Sequence, residues 1–257
     1  MMHVHVEVFA VCVLSNHYHL VVRDPQARLP EFLNYLNMFV SKCVNATLDR
    51  SENVWASEPP STVALTDDED VLGKMVYTLV NPVAAHLVAQ GKDWPGVRST
   101  CEQWLKPPSE VARPPVFFRP DGEMPETAEL KLTRPPIFQD MSDEELAEEF
   151  QRQVLEQEVE ERREHRLQGS GQFLGRKKVL AQSPFGHPRK VEQRRTANPR
   201  VAGHDKWRKL EAIRRVKQFY TDYRESLLVW KAGKRDVVFP AGTYALRVHA
   251  GVSCASP

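Results

Sequence analysis

Two histidines on either side of one tyrosine constrain this chain more than any other feature. His17 and His19 lie in a largely apolar run over residues 6–23, a pattern that predicts a β-strand. Side chains two apart on a strand point to the same face, so both imidazoles should project together, about 7 Å apart along the backbone, with Tyr18 on the other face. Two imidazoles on a stiff sheet form half of a divalent-metal site. The alternative is a purely structural pair.

A second candidate group lies on a predicted helix further along the chain. Thr66 and Glu69 fit a capping box at the start of this helix. Its buried stripe is predicted from helical spacing and consists of Val71, Leu72, Met75, Val76 and Leu79. Tyr77 lies beside the stripe, and Asn81 follows four residues later on the same face. Pro82 predicts that the helix ends near Asn81. Taken alone, Tyr77 is better explained as a half-buried aromatic side chain at the edge of a helix interface.

Taken together, these segments resemble a known family. Residues 16–19 and 77–83, followed by 87–88 and 93–95, are similar to the REP-associated tyrosine transposases. These belong to the single-tyrosine HUH transposases of the insertion-sequence-200-like group. The similarity spans about residues 6–100, and it is carried by the order and spacing of the segments. Residues 174–177, 198–200 and 238–244 resemble the basic C-terminal extension of some members.

The resemblance implies a role for each residue. It makes His17, His19 and Asn81 ligands of a divalent cation, Mg²⁺ or Mn²⁺, and Tyr77 the nucleophile. The implied enzyme nicks and rejoins single-stranded DNA through a 5′-phosphotyrosine intermediate, with hairpins of palindromic repeats as substrates. The resemblance also implies a bacterial, cytoplasmic, nucleoid-associated protein, and it allows a homodimer.

Family members usually begin with a strand and a long helix before the histidine strand. Here the match starts within about ten residues of Met1, so we expect a catalytic domain over residues 1–105 that lacks this first strand and helix. Three hypotheses stay open. The chain is an active transposase-like enzyme, a catalytically silent relative that still binds DNA, or a metal hydrolase that activates water at the histidine pair without Tyr77.

The net charge of +1 hides a strong asymmetry between the two parts of the chain. Residues 168–257 carry 19 Lys and Arg against 6 Asp and Glu, whereas residues 1–167 carry 16 against 28. A basic segment suits a polyanion, because phosphate neutralisation dominates nucleic-acid affinity. The alternative is an ordinary solvated surface. The side chains predicted to contact DNA are Arg176, Lys177, Lys178, Lys206, Arg208, Arg214 and Arg215.

We expect an α+β fold with a small antiparallel sheet and packed helices, as in the ferredoxin-like HUH nuclease core. An apolar stripe predicts a helix over residues 29–48, and paired prolines predict an irregular connector over 106–140. Residues 141–257 should form a charged, helical C-terminal extension. Within it, Ser142 and Glu145 cap an acid-rich, mostly exposed helix, and residues 207–230 form a basic amphipathic helix.

The sequence disfavours a protein with a membrane-spanning helix and a protein stabilised by disulfides or structural zinc. No apolar run approaches the length of roughly 18 residues that a membrane-spanning helix needs. The four cysteines are scattered without zinc-type or C-x-x-C spacing, which is typical of free thiols in a reducing compartment.

Overall fold

Helices and short two-stranded sheets alternate along the chain, which confirms the α+β class. The computed structural model describes residues 4–57, 60–169, 171–186 and 200–257. Within these ranges the strands are β1 (Glu7–Val13), β2 (Tyr18–Arg23), β3 (Ala64–Leu65), β4 (Ser109–Ala112), β5 (Thr127–Leu130), β6 (Val201–Ala202), β7 (Val238–Phe239) and β8 (Ser253–Cys254). The helices are α1 (Leu29–Leu48), α2 (Asp68–Ala84), α3 (Asp143–Leu167), α4 (Arg176–Leu180), α5 (Lys206–Lys231) and α6 (Ala245–Ala250). Asn198 and Pro199, which contributed to the family resemblance, lie outside the described residues.

The histidine segment forms an antiparallel hairpin of β1 and β2, so the single strand expected over residues 6–23 was wrong. Cys12 pairs with His19, and the chain reverses between the strands, where the Leu14 amide donates to the His17 carbonyl at 2.8 Å. Ser15 and Asn16 explain the reversal, because both residue types favour turns. His19 therefore lies in β2, and His17 lies in the turn that precedes it.

The other edge of β1 is hydrogen-bonded by two distant segments. The Val13 amide donates to the Val97 carbonyl at 2.8 Å, and the Ser99 amide donates to the Val11 carbonyl at 2.9 Å. Thr133 donates its amide to Val8 at 2.9 Å. These bonds satisfy backbone groups that an unpaired strand edge would leave exposed.

Helix α2 packs across the hairpin, and the core lies between them. Its N-cap is Asp67 and not Thr66, and no side chain caps its first turn, so the predicted capping box is wrong. The helix also continues through Pro82 to Ala84, beyond the predicted end. Asn81 and Pro82 are both buried, and the packing that buries them outweighs the bias against helix before proline.

Helix α3 packs on α2 and completes the core along one face, while most of its residues are exposed, as predicted. Leu146, Phe150 and Val154 recur every four residues and are almost fully buried. Acidic residues dominate the composition of α3 and mostly lie on the opposite face. Composition alone therefore does not reveal this short apolar stripe. The predicted capping box of Ser142 and Glu145 is confirmed in both of its hydrogen bonds.

The connector contains more order than the paired prolines predict. Strands β4 and β5 form an exposed antiparallel hairpin within residues 106–140, so a fully irregular connector was wrong. Within the described ranges, every helix is too short or too polar to cross a lipid bilayer.

Residues 200–257 contact the N-terminal part of the chain through β6, α5 and α6. Strand β6 pairs in parallel with β3, and α5 starts beside the N-terminus of α2. Strands β7 and β8 pair with each other, and Arg247 of α6 forms an ion pair with the buried Glu31 of α1. Helix α5 has no buried residue, so the basic helix predicted over residues 207–230 lies at the surface.

Candidate functional site

Three aromatic rings converge although 58 positions separate His19 from Tyr77. The ring centroids of His17 and His19 are 4.9 Å apart, and those of His19 and Tyr77 are 5.3 Å apart. Both pairs meet edge to face, with interplanar angles of 89° and 85°. We call these three side chains the ring cluster.

Each ring is positioned by a different local feature. The turn after β1 presents His17, β2 presents His19, and α2, packed across the hairpin, brings Tyr77 to the two imidazoles. Tyr18 contacts the Trp55 ring and donates its hydroxyl to Asn37 at 2.8 Å. Tyr77 is 47% exposed, so its phenol is accessible to a large substrate.

The hydrogen bonding of His17 and the pKa of His19 both suit cation binding. His17 Nδ1 lies 2.7 Å from the Asn16 side-chain oxygen, which can only accept a hydrogen bond, so Nδ1 is the donor and the neutral form of the ring carries its lone pair on Nε2. Burial lowers the pKa of His19 to about 4, with smaller contributions from His17 and the Lys74 charge. At neutral pH the His19 ring is therefore uncharged.

One atom of His19 is left without a partner. Its Nε2 is buried and has no hydrogen-bond partner within the described part of the chain. An unsatisfied buried polar atom costs about 1–3 kcal/mol, so such an atom calls for an explanation. A cation on this lone pair would supply one.

Lys74 is a member of this site that the sequence analysis missed. Its Nζ lies 5.0 Å from the centroid of the Tyr77 ring, and its charge reaches His19. Lys74 precedes Tyr77 by three residues on α2, which places the two side chains on one helix face. That spacing was the available signal, but a lone lysine on a helix is too common to be singled out.

Asn81 lies one helical turn after Tyr77 and is 6% exposed. Its position on α2 places it on the same side of the helix as the phenol. No group of three or more His, Cys, Asp or Glu side chains with metal-binding geometry occurs among the described residues. Among the described residues, a third protein ligand beside the histidine pair would be of another type, and an amide oxygen qualifies.

The predicted DNA contacts do not form one patch. Arg176, Lys177 and Lys178 are exposed on α4, which follows hydrogen bonds from residues 174 and 175 to residues 86 and 87, past the C-terminal end of α2. Arg208 binds Asp67 at 2.9 Å, at the N-terminal end of α2.

The other predicted contacts lie along α5. Arg215 is paired with Glu211, whereas Lys206 and Arg214 are exposed. Two of the four cations predicted on this helix, Arg208 and Arg215, thus already have carboxylate partners.

Comparison with models of known protein families found no match, and comparisons with curated proteins and with solved structures found none either.

Proposed function

We propose that this protein is a metal-dependent, single-tyrosine transferase that cuts and rejoins single-stranded DNA. The observation that carries the proposal is the ring cluster, because two imidazoles and an accessible phenol converge from distant parts of the chain. A structural role alone would not require the phenol to be 47% exposed beside a buried nitrogen that has no hydrogen-bond partner among the described residues.

The proposed reaction is a transesterification. The Tyr77 oxygen attacks the phosphorus of a DNA phosphodiester, and the bond from phosphorus to the 3′ oxygen breaks. The phenol proton is transferred overall to the departing 3′ oxygen, which becomes a free hydroxyl, and the DNA 5′ end stays on Tyr77 as a phosphotyrosine. Because one ester replaces another, a 3′ hydroxyl can reverse the step and join strands without ATP.

His17, His19 and Asn81 are the residues that would hold the divalent cation. The buried Nε2 of His19 fits this role, and Mg²⁺ or Mn²⁺ also accepts a side-chain amide oxygen as a ligand. When bound, the cation supplies Lewis-acid stabilisation of charge on the scissile phosphate.

The chain itself supplies two further elements of catalysis. Helix α2 fixes Tyr77 against the hairpin, which positions the nucleophile. The ammonium of Lys74, on the same helix face, stabilises negative charge that develops on the phenolic oxygen and on the phosphate.

The proposal extends to fold family and partner. The hairpin and α2 are compatible with part of a ferredoxin-like HUH core, and hairpin DNA from palindromic repeats is the proposed substrate. Association into a homodimer and a nucleoid location belong to the same proposal.

A cleavage assay tests this proposal. Labelled single strands that contain a hairpin with randomised flanks are incubated with protein and Mn²⁺, and both cut DNA and covalent protein–DNA adduct are measured. We expect both products from the wild type and neither from Tyr77→Phe or His19→Ala. Tyr18→Phe is the matched control and should keep both products, because Tyr18 faces Asn37 and Trp55.

The two alternative hypotheses give different results in the same assay. Cutting that persists in Tyr77→Phe would indicate a water-activating hydrolase. Binding of the labelled strands without metal-dependent cutting by the wild type would indicate a silent DNA-binding relative. Either result contradicts the proposal.

A further inference from the structure

A groove of about 630 Å³ lies along α5, where this helix packs on β6. None of its lining residues belongs to the ring cluster. Among the lining residues that the structure describes, four are cations, Arg200, Lys209, Lys217 and Arg224, and none is acidic. Of these four, none was among the side chains predicted from the sequence to contact DNA.

Charge is segregated around α5. Lys209, Lys217 and Arg224 share one helix face, whereas Glu211 and Asp222 each follow a groove residue by two positions, about 200° around the helix. These two acids therefore lie opposite the groove, and the charged residues of α5 that line it in the described part of the chain are all cations.

The groove cations also differ from the other cations of α5 in their pairing. Arg208 and Arg215 are bound to Asp67 and Glu211. In the part of the chain that the structure describes, no carboxylate lies within ion-pair distance of the four groove cations. Their charges are available to an external anion.

The floor of the groove is apolar and has one aromatic ring at its edge. Val201, Ile213 and Val216 form the floor, and Tyr220 is exposed. The Arg200 guanidinium lies 5.1 Å from the Tyr220 ring centroid and donates a hydrogen bond to its hydroxyl. A flat ring beside an apolar floor and a cationic rim is the combination that stacks an unpaired base and neutralises its phosphates.

We infer that this groove binds a single-stranded segment of DNA. The phosphates contact the four cations, and a base stacks on Tyr220. A duplex fits less well, because its bases are already stacked and their faces are hidden from the floor of the groove. Only the choice of DNA over RNA depends on the proposed function; the preference for unpaired strands comes from the groove itself.

The test compares two triple variants that remove equal charge from α5 and the residues just after it. The groove variant is Lys209→Gln, Lys217→Gln and Arg224→Gln, and the matched control is Lys231→Gln, Lys234→Gln and Arg235→Gln, three exposed cations outside the groove. Both are made in a Tyr77→Phe background without divalent metal, so that cleavage cannot occur. Binding of a labelled thymidine strand of about 20 nucleotides is measured by fluorescence anisotropy over a range of salt concentrations.

We expect the groove variant to bind about tenfold more weakly or worse, and the control to lose less than about threefold. The slope of log affinity against log salt should fall by about 2 in the groove variant, since each lost phosphate contact on a single strand contributes about 0.7. Equal losses in the two variants would overturn the inference, because they would indicate non-specific attraction to a charged helix.

The aromatic ring has its own controls. Tyr220→Ala should weaken binding about 5- to 100-fold, whereas Tyr220→Phe keeps the ring and should retain most of the affinity. Equally tight binding of a duplex of the same length, or binding to phosphatidylserine vesicles but not to the thymidine strand, would overturn the inference. Circular dichroism confirms that each variant keeps its helical content.

The outcome is separable from that of the proposed function. Equal losses of binding in the groove variant and the control, with adduct formation on Tyr77 in the wild type, would overturn the groove alone. Groove-dependent binding without any adduct would overturn the enzyme alone.

Discussion

The buried Glu31 shows how firmly α6, near the C-terminal end of the chain, is attached to α1. It is 2% exposed on α1, and its carboxylate is bound by Arg28 at 2.7 Å and by Arg247, which lies 216 positions away in α6. Within the described ranges it is the one buried residue of α1. Its ion pair with Arg247 therefore links the first helix to the last.

The informative change is Glu31→Gln, which keeps the shape of the side chain but removes its charge. Breaking a fully buried ion pair costs about 3–5 kcal/mol. The side chains of Arg28 and Arg247 are 21% and 27% exposed, so water partly solvates them after the change. We therefore expect a loss of about 2 kcal/mol in the free energy of unfolding, measured by urea denaturation.

The pH dependence of this loss follows from the pKa of Glu31. Hydrogen bonds from Arg28, and then from Arg247, hold this pKa below its usual value, against the opposing effect of burial. The unfolded chain therefore binds the proton more readily, and the stabilisation is complete above about pH 4.3 and is lost as the pH falls through the folded-state pKa. The difference between wild type and variant should be constant from pH 6 to 8 and should shrink below about pH 4.

Glu102→Gln is the matched control, because Glu102 pairs with Lys106 at the surface, with 59% and 54% of their side chains exposed. It should cost at most about 0.5 kcal/mol. If the two variants were equally stable, the ion pairs of Glu31 would not hold α6 on α1, and this prediction would be wrong.

Three further predictions concern the core, the site and the thiols. Phe150→Ala should cost about 3–5 kcal/mol in urea unfolding, because the ring is fully buried; a cost under about 1 kcal/mol would contradict the packing of α3 on α2. Lys74→Met should slow adduct formation about 10- to 100-fold at unchanged DNA affinity, and an unchanged single-turnover rate would remove Lys74 from the site. Burial raises the pKa of the Cys12 and Cys101 thiols to about 11 and about 12, so neither should react with a thiol reagent at pH 8 until urea unfolds the chain, and prompt labelling of either would contradict their burial.

Local patterns predicted those elements whose signal is contained in a short window. The apolar stripe of α1 predicts its range, and the capping box of Ser142 predicts where α3 begins. The hairpin was mistaken for one strand because the four residues between β1 and β2 barely interrupt an apolar run. The end of α2 was misplaced because core packing, which is not local, overrides the usual effect of Pro82.

Part of the site could not be predicted because it depends on contacts between distant segments. The position of Tyr77 on a helix follows from local spacing, but its contact with His19 needs the packing of α2 on the hairpin. The groove along α5 needs β6 to pair with β3, 137 positions earlier in the chain. Net charge indicates a basic extension, but it does not show which cations are already bound by carboxylates, as Arg208 is.

The central claim is that the Tyr77 oxygen becomes covalently bonded to a DNA 5′ phosphate. Peptide mass spectrometry after nuclease digestion of the trapped adduct tests it most directly. We expect the tryptic peptide that contains Tyr77 to carry the added mass of a nucleotide when Mn²⁺ is present and not when EDTA is present. A cut strand with no modified peptide, or with the nucleotide on another tyrosine, would contradict it.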